Sequence, residues 1–272
     1  MSVLNKFLNL SERDGKLVSI GMIIGTIFST TMFIQTMNLS RYINLISNTM
    51  ISTQRSKLIS GKNNFYFETD IDSSTIKKFK NFMDRMEQDS TVNLYFETNG
   101  GLFSVAQMIC NIILNHQGET NAIILNKSFS AGTLCALCCK NIYMHRNAHL
   151  SPVDVIQCSF FSSTQLSSIQ NVVKNKNADK IDDSTFILED QATKCKTILN
   201  KIFEKISLIH NFNEQIKSVV FEEIFQGEKY THNTVFSYDH LCSCGIGIKT
   251  ITKEQEQMAR LLYKQEEIQI FM

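Results

Sequence analysis

The stretch that decides the fold is residues 121–139, NAIILNKSFSAGTLCALCC. Residues 121–125 form an apolar run typical of a buried strand, and residues 134–139 have the small apolar side chains of a fully buried helix. Ser130 stands where this helix begins, at a point where backbone N–H groups lack intrahelical partners and the helix dipole favours negative charge. A serine there is either an N-cap or a nucleophile beside a ready-made anion site.

A second strand–turn–helix unit comes before this one. Residues 92–97 predict a strand, residues 98–101 (Thr-Asn-Gly-Gly) a tight turn, and residues 105–115 an apolar-striped helix. The glycine pair lets the backbone adopt conformations that other residues resist, and its N–H groups can face a ligand. An ordinary β-to-α turn also suits Asn-Gly-Gly. Two such units in succession favour a catalytic site with Ser130 as nucleophile.

Four short motifs follow one another along the chain. They are Thr-Asn-Gly-Gly at 98–101, Ser-Ala-Gly-Thr at 130–133, Leu-Ser-Pro-Val-Asp at 150–154 and Gly-Glu-Lys-Tyr-Thr-His at 227–232. Their order and spacing resemble the serine dehydrogenase proteinases of the ClpP/crotonase superfamily, relatives of signal peptide peptidase A. The resemblance covers residues 64–250 and implies an α/β fold built as a ClpP/crotonase-like spiral of ββα units. Asn99 stands where the family usually has proline, and Ser151 where it usually has glycine.

The resemblance also implies a mechanism, the hydrolysis of peptide bonds. Ser130 would attack the peptide carbonyl, and the N–H groups of Ala131 and of Gly100 or Gly101 would form the oxyanion hole. Each such donor is worth roughly 3 kcal/mol in well-studied enzymes. No metal and no organic cofactor are called for, and the expected ligand is a peptide or protein substrate.

A lysine is the expected general base. Lys180 precedes a long predicted helix, at a position where membrane-bound relatives in the superfamily carry a catalytic lysine. A lysine can deprotonate serine at neutral pH only if desolvation or a nearby cation lowers its pKa. The alternative is a solvated lysine among aspartates. Lys174 and Lys176 are competing candidates.

Other polar residues near these motifs could also line the site. Asp154 falls near the turn that carries the catalytic histidine in the Clp subunit, but no histidine occupies that position here. His145 and His149 lie slightly upstream and need no function to explain them. His232 is either structural or a site residue, and the sequence leaves both open.

Residues 17–40 contain no charged side chain and have the length of a bilayer core, which needs about 20 mostly apolar residues. Serine and threonine dilute the hydrophobicity, so a buried or interfacial helix is the alternative. We expect a tail at 1–16, a single transmembrane helix at 17–40, a linker at 41–63 and a peptidase domain at 64–272. This predicts a single-pass membrane protein.

Composition excludes some classes of function. A net charge of +1 with no dense basic block gives no reason to expect nucleic acid as a partner. The eight cysteines form no zinc pattern: Cys135, Cys138 and Cys139 lie in the predicted buried helix, and Cys242-x-Cys244 has no matching ligand pair. We expect them to be free core residues, which is easier to reconcile with a reducing compartment.

Two other functions compete with the peptidase. The chain could keep the fold without catalysis, as a scaffold or oligomerisation module at a membrane. It could also be a crotonase-like enzyme that processes acyl-CoA. The helix predicted from 185 to 210 carries a continuous apolar seam, which either packs on the sheet or forms part of a homo-oligomer interface.

Overall fold

The structure is a computed structural model that describes residues 63–158, 163–227 and 229–263, all within one compact unit, Ile59–Met272. The described strands are β1 (Asn64–Phe67), β2 (Val92–Thr98), β3 (Thr120–Ser128), β4 (Asn141–Met144), β5 (His149–Leu150), β6 (Ile156–Cys158), β7 (Ser163–Gln165), β8 (Phe236–Ser237) and β9 (Ile248–Thr250). The described helices are α1 (Ser73–Met83), α2 (Phe103–Asn115), α3 (Ala131–Leu137), α4 (Leu166–Asn175), α5 (Asp183–Ile209), α6 (Glu214–Val220), α7 (Tyr238–Ser243) and α8 (Lys253–Tyr263). A 3₁₀ turn, Ala178–Lys180, precedes α5, and a π-helical turn, Phe221–Phe225, continues α6.

A parallel sheet forms the centre of the unit. In the described part of the chain, its strands run in the order β1-β2-β3-β4-β9, each parallel to its neighbour. The short strand β5 pairs in parallel with β3 and antiparallel with β8, while β6 and β7 form a separate hairpin. Strands that alternate with helices in this way build a parallel α/β fold. The predicted α/β fold with a parallel sheet is confirmed.

Both faces of this sheet are covered, which explains the unbroken apolar runs in its strands. Leu94 and Phe96 of β2 enter the main core with residues of α1, α2, α3 and α5, whereas Tyr95 enters a smaller core with Ala259 of α8. Phe67 of β1 stacks on Phe96, with ring centroids 4.7 Å apart. A strand buried on both faces has no polar alternation.

The helix boundaries largely follow the capping residues. Asp72 caps α1 through a capping box with Thr75, and an aspartate followed by serines is a common sequence at the start of a helix. Asp182 caps α5 and accepts the N–H of Thr185 at 2.9 Å, so this helix begins slightly before the predicted residue 185. Asn213 caps α6 in the same way, accepting the N–H of Ile216 at 2.8 Å.

The short helix α3 lies in the middle of the main core. Every one of its residues is buried, together with Cys138 and Cys139, which follow it. Cys110 of α2 packs against Cys135 of α3, with the two sulfurs 3.9 Å apart, and both are free thiols. The prediction of free core cysteines is confirmed for Cys110, Cys135, Cys138 and Cys139, whereas Cys242 is exposed.

The apolar seam of α5 packs inside the protein. Leu199, Ile202 and Ile206 belong to the main core, and Ala192 belongs to a small cluster with Leu166 and Ile169 of α4. Of the two interpretations of the seam, core packing is therefore the one that the structure supports.

A row of asparagine side chains crosses the sheet near the amino ends of its strands. Asn64, Asn93, Asn121 and Asn141 are register partners on adjacent strands. Asn93 donates to Asn64 at 2.9 Å, Asn121 to Asn93 at 2.9 Å and Asn141 to Asn121 at 3.0 Å. Lys249 of β9 donates to the Asn141 oxygen at 2.8 Å. We call this row the asparagine ladder.

The predicted transmembrane helix at 17–40 lies outside the described residues. Within 63–158, 163–227 and 229–263, no helix has both the length and the apolar character needed to cross a bilayer.

Candidate active site

Ser130 stands between β3 and α3 in a strained backbone conformation. Its φ is 51° and its ψ is −114°, in a region that side-chain-bearing residues rarely adopt. Such a conformation costs on the order of 1–3 kcal/mol and is found mostly at functional sites. The side chain makes no capping hydrogen bond, so capping does not account for the serine at this position.

Ser151 holds the backbone of Ser130 in place. Its hydroxyl oxygen accepts the Ser130 N–H at 2.7 Å, and its own N–H donates to Thr133 Oγ1 at 3.2 Å. The Thr133 hydroxyl in turn donates to the Ser128 carbonyl at 2.7 Å. These bonds tie the loop after β5 to both ends of the nucleophile turn. Sequence reasoning missed this role, because Ser151 stood out only as a departure from the family pattern.

The two-glycine turn after β2 packs directly against Ser130. Gly100 and Gly101 have positive φ angles of 106° and 150°. A Cβ on Gly100 would lie 2.8 Å from the Ser130 Cβ and 3.2 Å from the Ala131 nitrogen, so only glycine allows this approach. The Gly100 N–H donates to Thr98 Oγ1 at 3.1 Å. Of the two glycines, Gly101 is therefore the one that we expect to share the oxyanion with Ala131.

These turns open into a cleft of about 720 Å³. Its lining includes Ser130, Ala131, Gly101, Asp154 and His232, which are thus brought together from four separate parts of the chain. The apolar lining residues are Ile71, Leu102, Phe103, Leu134, Val153, Val155 and Ile156. An apolar cleft with a few convergent polar groups is the usual form of a binding site.

His232 is half-buried in this cleft and contacts the Asp154 backbone. Its ring donates a hydrogen bond to the Asp154 carbonyl, and its Nδ1 atom is buried with no hydrogen-bond partner among the described residues. Since Nδ1 has no partner, we assign the donor to Nε2 and the lone pair of the neutral ring to Nδ1. Burial lowers the pKa of His232 from its ordinary 6.5, and the Asp154 carboxylate opposes that shift. The imidazole is consequently neutral at pH 7.

Asp154 is a buried carboxylate held by neighbouring side chains. Its Oδ2 atom accepts hydrogen bonds from Ser167 at 2.7 Å and from Gln165 at 2.9 Å. Gly227 passes so close that a Cβ there would lie 2.9 Å from the Asp154 Cγ. The segment that leads to His232 is thus packed against Asp154.

The lysines proposed as general base lie elsewhere. Lys180 ends the exposed 3₁₀ turn before α5, and Lys174 and Lys176 are exposed at the end of α4. None of the three lines the cleft that contains Ser130. A pairing of Ser130 with Lys180 stays a prediction.

The histidines upstream of Asp154 also lie outside the cleft. His145 accepts the backbone N–H of Asn147 through Nδ1 at 3.1 Å, which is a local turn contact. His149 lines a different cavity together with Tyr230 and His240.

The fold and the turns define a class of protein. A parallel α/β sheet carries a strained serine at one strand–helix junction and a two-glycine turn at the neighbouring one, as in ClpP-like proteins. A family model described as ClpP-like SDH-type serine proteinase matches residues 24–269, and the chain belongs to this family. The resemblance seen in the four motifs is thereby confirmed.

Two similar proteins come from Methanocaldococcus jannaschii, and both are described only as uncharacterised. MJ0137 is 31% identical over 179 residues, which cover 65% of this chain and 60% of that protein. MJ1495 is 24% identical over 163 residues, which cover 60% of this chain and 53% of that protein. The matches thus span less than two thirds of either relative's length.

A similar solved structure is a mutant of the 1510-N membrane-bound stomatin-specific protease. It matches with a TM-score of 0.49 and 14% sequence identity, over 72% of this chain and 81% of that one.

Proposed function

We propose that this chain is a serine peptidase that hydrolyses peptide bonds with Ser130 as nucleophile. The observation that carries the proposal is the strained conformation of Ser130 at the edge of a cleft that also contains His232. A strained serine with an uncapped side chain presents its hydroxyl to a ligand rather than to the helix. Family membership supports the same chemistry.

His232 is the general base that the geometry supports best. It shares the cleft with Ser130, and its buried Nδ1 has no partner among the described residues. Because burial lowers its pKa, the imidazole is neutral at pH 7 and can take the serine proton. The Asp154 carbonyl orients the ring, and the Asp154 carboxylate favours the imidazolium that forms.

The proposed reaction follows from this arrangement. The Ser130 Oγ bonds to the substrate carbonyl carbon as its proton passes to His232 Nδ1, and the N–H groups of Ala131 and Gly101 stabilise the oxyanion. The proton then moves to the leaving amine as the C–N bond breaks. Water, deprotonated by the same imidazole, releases the acyl group from Ser130.

A Ser130–Lys180 dyad is the alternative mechanism for the same peptidase. For Lys180 to act, the 3₁₀ turn Ala178–Lys180 would have to close over the cleft, since the side chain is exposed and does not line it. The exposed Lys180 also favours the second candidate function, a non-catalytic scaffold of the same fold. A non-catalytic scaffold does not require a strained serine. We therefore rank the scaffold below the peptidase.

Cleavage of an unfolded protein by the purified full chain tests these mechanisms. We expect Ser130→Ala to lower kcat by at least about 10³-fold and His232→Ala to lower it by about 10²–10⁴-fold. Lys180→Ala should match wild type, as should the control Lys201→Ala, which removes an exposed lysine of α5 that was never a candidate base. Circular dichroism establishes that each variant is folded.

Other outcomes separate the alternatives. Loss of activity in Lys180→Ala but not in His232→Ala would replace the base proposed here with the dyad. Equal cleavage by Ser130→Ala and wild type would overturn the nucleophile. No cleavage by wild type across several unfolded substrates would favour the scaffold.

The pH dependence of kcat/KM gives an independent measure of the base. His232 must be neutral to accept a proton, so activity should rise with pH and reach half its maximum below 6.5, the ordinary histidine value that burial lowers. A midpoint clearly above that value would contradict His232 as the base.

We further propose that residues 17–40 anchor the peptidase in a membrane. The support is their sequence alone, a stretch of 24 residues with no charged side chain. Flotation of the full chain with lipid vesicles measures this association directly.

We also propose that the chain forms a homo-oligomer. Sedimentation of a single monomeric species at all concentrations would reject that proposal.

A further inference from the structure

Three side chains that bind transition metals converge on the side of the protein formed by α7 and the π-helical turn. Glu223 lies in the π-helical turn, His240 lies in α7 and Cys244 caps the end of α7. One ligand atom from each lies within 4.8 Å of the others. Within the described residues, no other group of this kind is present.

Two of the three distances between ligand atoms are close to the edges of a tetrahedron. Glu223 Oε2 lies 3.3 Å from His240 Nε2, and Cys244 Sγ lies 3.8 Å from the same nitrogen. Zinc binds nitrogen and oxygen at about 2.0–2.2 Å and thiolate sulfur at about 2.3 Å, which places neighbouring ligand atoms of a tetrahedron about 3.3–3.6 Å apart. A zinc ion would contact the Glu223 oxygen and the His240 nitrogen with little movement, and Cys244 Sγ, which lies within 4.8 Å of that oxygen, would move towards them.

We propose that Glu223, His240 and Cys244 bind one zinc ion. The set joins a thiolate, an imidazole and a carboxylate, the ligand types that zinc selects in proteins. A water molecule would complete the tetrahedron, and a cavity of about 350 Å³ lies beside His240 and Tyr230. Three protein ligands plus an open position differ from the four-ligand pattern of a purely structural site.

The neighbours of these ligands fit outer-shell roles. The Tyr230 hydroxyl donates to Glu223 Oε2 at 2.7 Å, which leaves a second lone pair of that oxygen for the metal. Lys229 pairs with the other carboxylate oxygen, Oε1, and so does not occupy the metal position. Phe236 stacks on the His240 ring, with centroids 5.0 Å apart. Such partners orient metal ligands and strengthen binding.

Charge also favours the ion. Glu223 and a Cys244 thiolate supply two negative charges beside the metal position, with the Lys229 ammonium held on the other oxygen of Glu223, and the thiol proton passes to solvent as the metal–sulfur bond forms. Zinc binding should therefore release a proton and weaken as the pH falls.

The site would connect the two elements that come before and after the segment carrying His232, the π-helical turn and α7. Tyr230 contacts Glu223, and His232 of the cleft follows it by two residues. A zinc ion between the π-helical turn and α7 would therefore hold both ends of the segment that carries His232. The sequence does not predict this, because Glu223 becomes a neighbour of His240 and Cys244 only in the fold.

Titration of the metal-free full chain with zinc chloride in a calorimeter tests the proposal. We expect one equivalent of zinc to bind with proton release, and Cys244→Ser to weaken binding by at least about tenfold, since even a lost outer-shell partner costs that much. The matched control is Cys242→Ser, which removes an exposed thiol two residues away on the same helix and should leave zinc affinity unchanged.

Cobalt gives a second readout that does not depend on activity or stability. A thiolate ligand produces a near-ultraviolet charge-transfer band with bound cobalt, which should persist in Cys242→Ser and vanish in Cys244→Ser. The proposal is overturned if the wild-type chain binds no zinc, if Cys244→Ser binds zinc as wild type does, or if the cobalt band depends on Cys242 instead. Because no substrate is involved, none of these outcomes bears on the peptidase proposal.

Discussion

At the scale of single residues, Ser151 stands where the family usually has glycine, and its hydroxyl supports the backbone of Ser130. It fills the space beside the nucleophile turn and accepts the Ser130 N–H at 2.7 Å. Ser151 is only 2% exposed, so water cannot easily replace it. The bond therefore helps to hold Ser130 in its strained conformation.

Removal of this hydroxyl should cost stability. We expect Ser151→Ala to lower the free energy of unfolding by about 1–3 kcal/mol, because the buried Ser130 N–H loses its acceptor. Urea unfolding measures the change. The control Ser218→Ala removes an exposed hydroxyl on α6 and should stay within about 0.5 kcal/mol of wild type. Equal stability of Ser151→Ala and wild type would show that the hydroxyl does not support the turn.

The candidate site could be predicted from sequence only where chemistry and local structure coincide. Ser130, Ala131 and the glycine pair were found because a strand–helix junction and a two-glycine turn are visible in the sequence. The position of His232 depends on a contact with Asp154, 78 residues earlier, and no local pattern records such a contact. Lys180 had a reasonable position in the sequence, but the structure leaves it exposed outside the cleft.

At the scale of secondary-structure elements, the asparagine ladder links the strands of the parallel sheet. Each rung joins side chains that are already register partners, so a strand that slipped by one residue would break its rungs. The ladder thus supports the register at the end of the sheet where the hydrophobic pattern is weakest.

Asn121→Ala tests the ladder, since Asn121 makes one bond to Asn93 and another to Asn141. At about 0.5–1.5 kcal/mol per bond, we expect the free energy of unfolding to fall by about 1–3 kcal/mol. Asn81→Ala, an exposed change on α1, serves as the control in the same urea titration. A loss no larger than that of the control would mean that the ladder adds nothing to stability.

Elements were predicted best where burial and capping agree. Asp72 indicates the start of α1, and the apolar run at 121–125 predicts most of β3. The ladder was not foreseen, because isolated asparagines in a sequence usually indicate turns rather than strands. The π-helical turn Phe221–Phe225 was also missed, since its residues suit an ordinary helix.

At the scale of the whole molecule, residues 17–40 are the segment that we expect to attach the chain to a membrane. If residues 17–40 span a bilayer, the full chain should float with lipid vesicles, and Ile27→Arg should reduce the floating fraction. A charge near the middle of a span costs about 2.5–3.5 kcal/mol on insertion scales. Asn48→Arg, which adds the same charge in the predicted linker, should leave flotation unchanged. Flotation that is equal in all three proteins, or absent in wild type, would reject the anchor.

The strained backbone of Ser130 has a consequence for how such a chain would evolve. A glycine at this position would adopt a φ of 51° without strain, whereas the strained serine lowers the stability of the fold by on the order of 1–3 kcal/mol. In a lineage that no longer needs the serine, its replacement by glycine would raise the free energy of unfolding. Such a replacement would therefore be retained readily. Gly132, which lies so close to Thr98 and Ser128 that no side chain fits, would persist in either lineage. Of the four residues in this turn, only the serine would be lost when catalysis is no longer selected. Its retention in a homologous chain therefore indicates selection for catalytic activity.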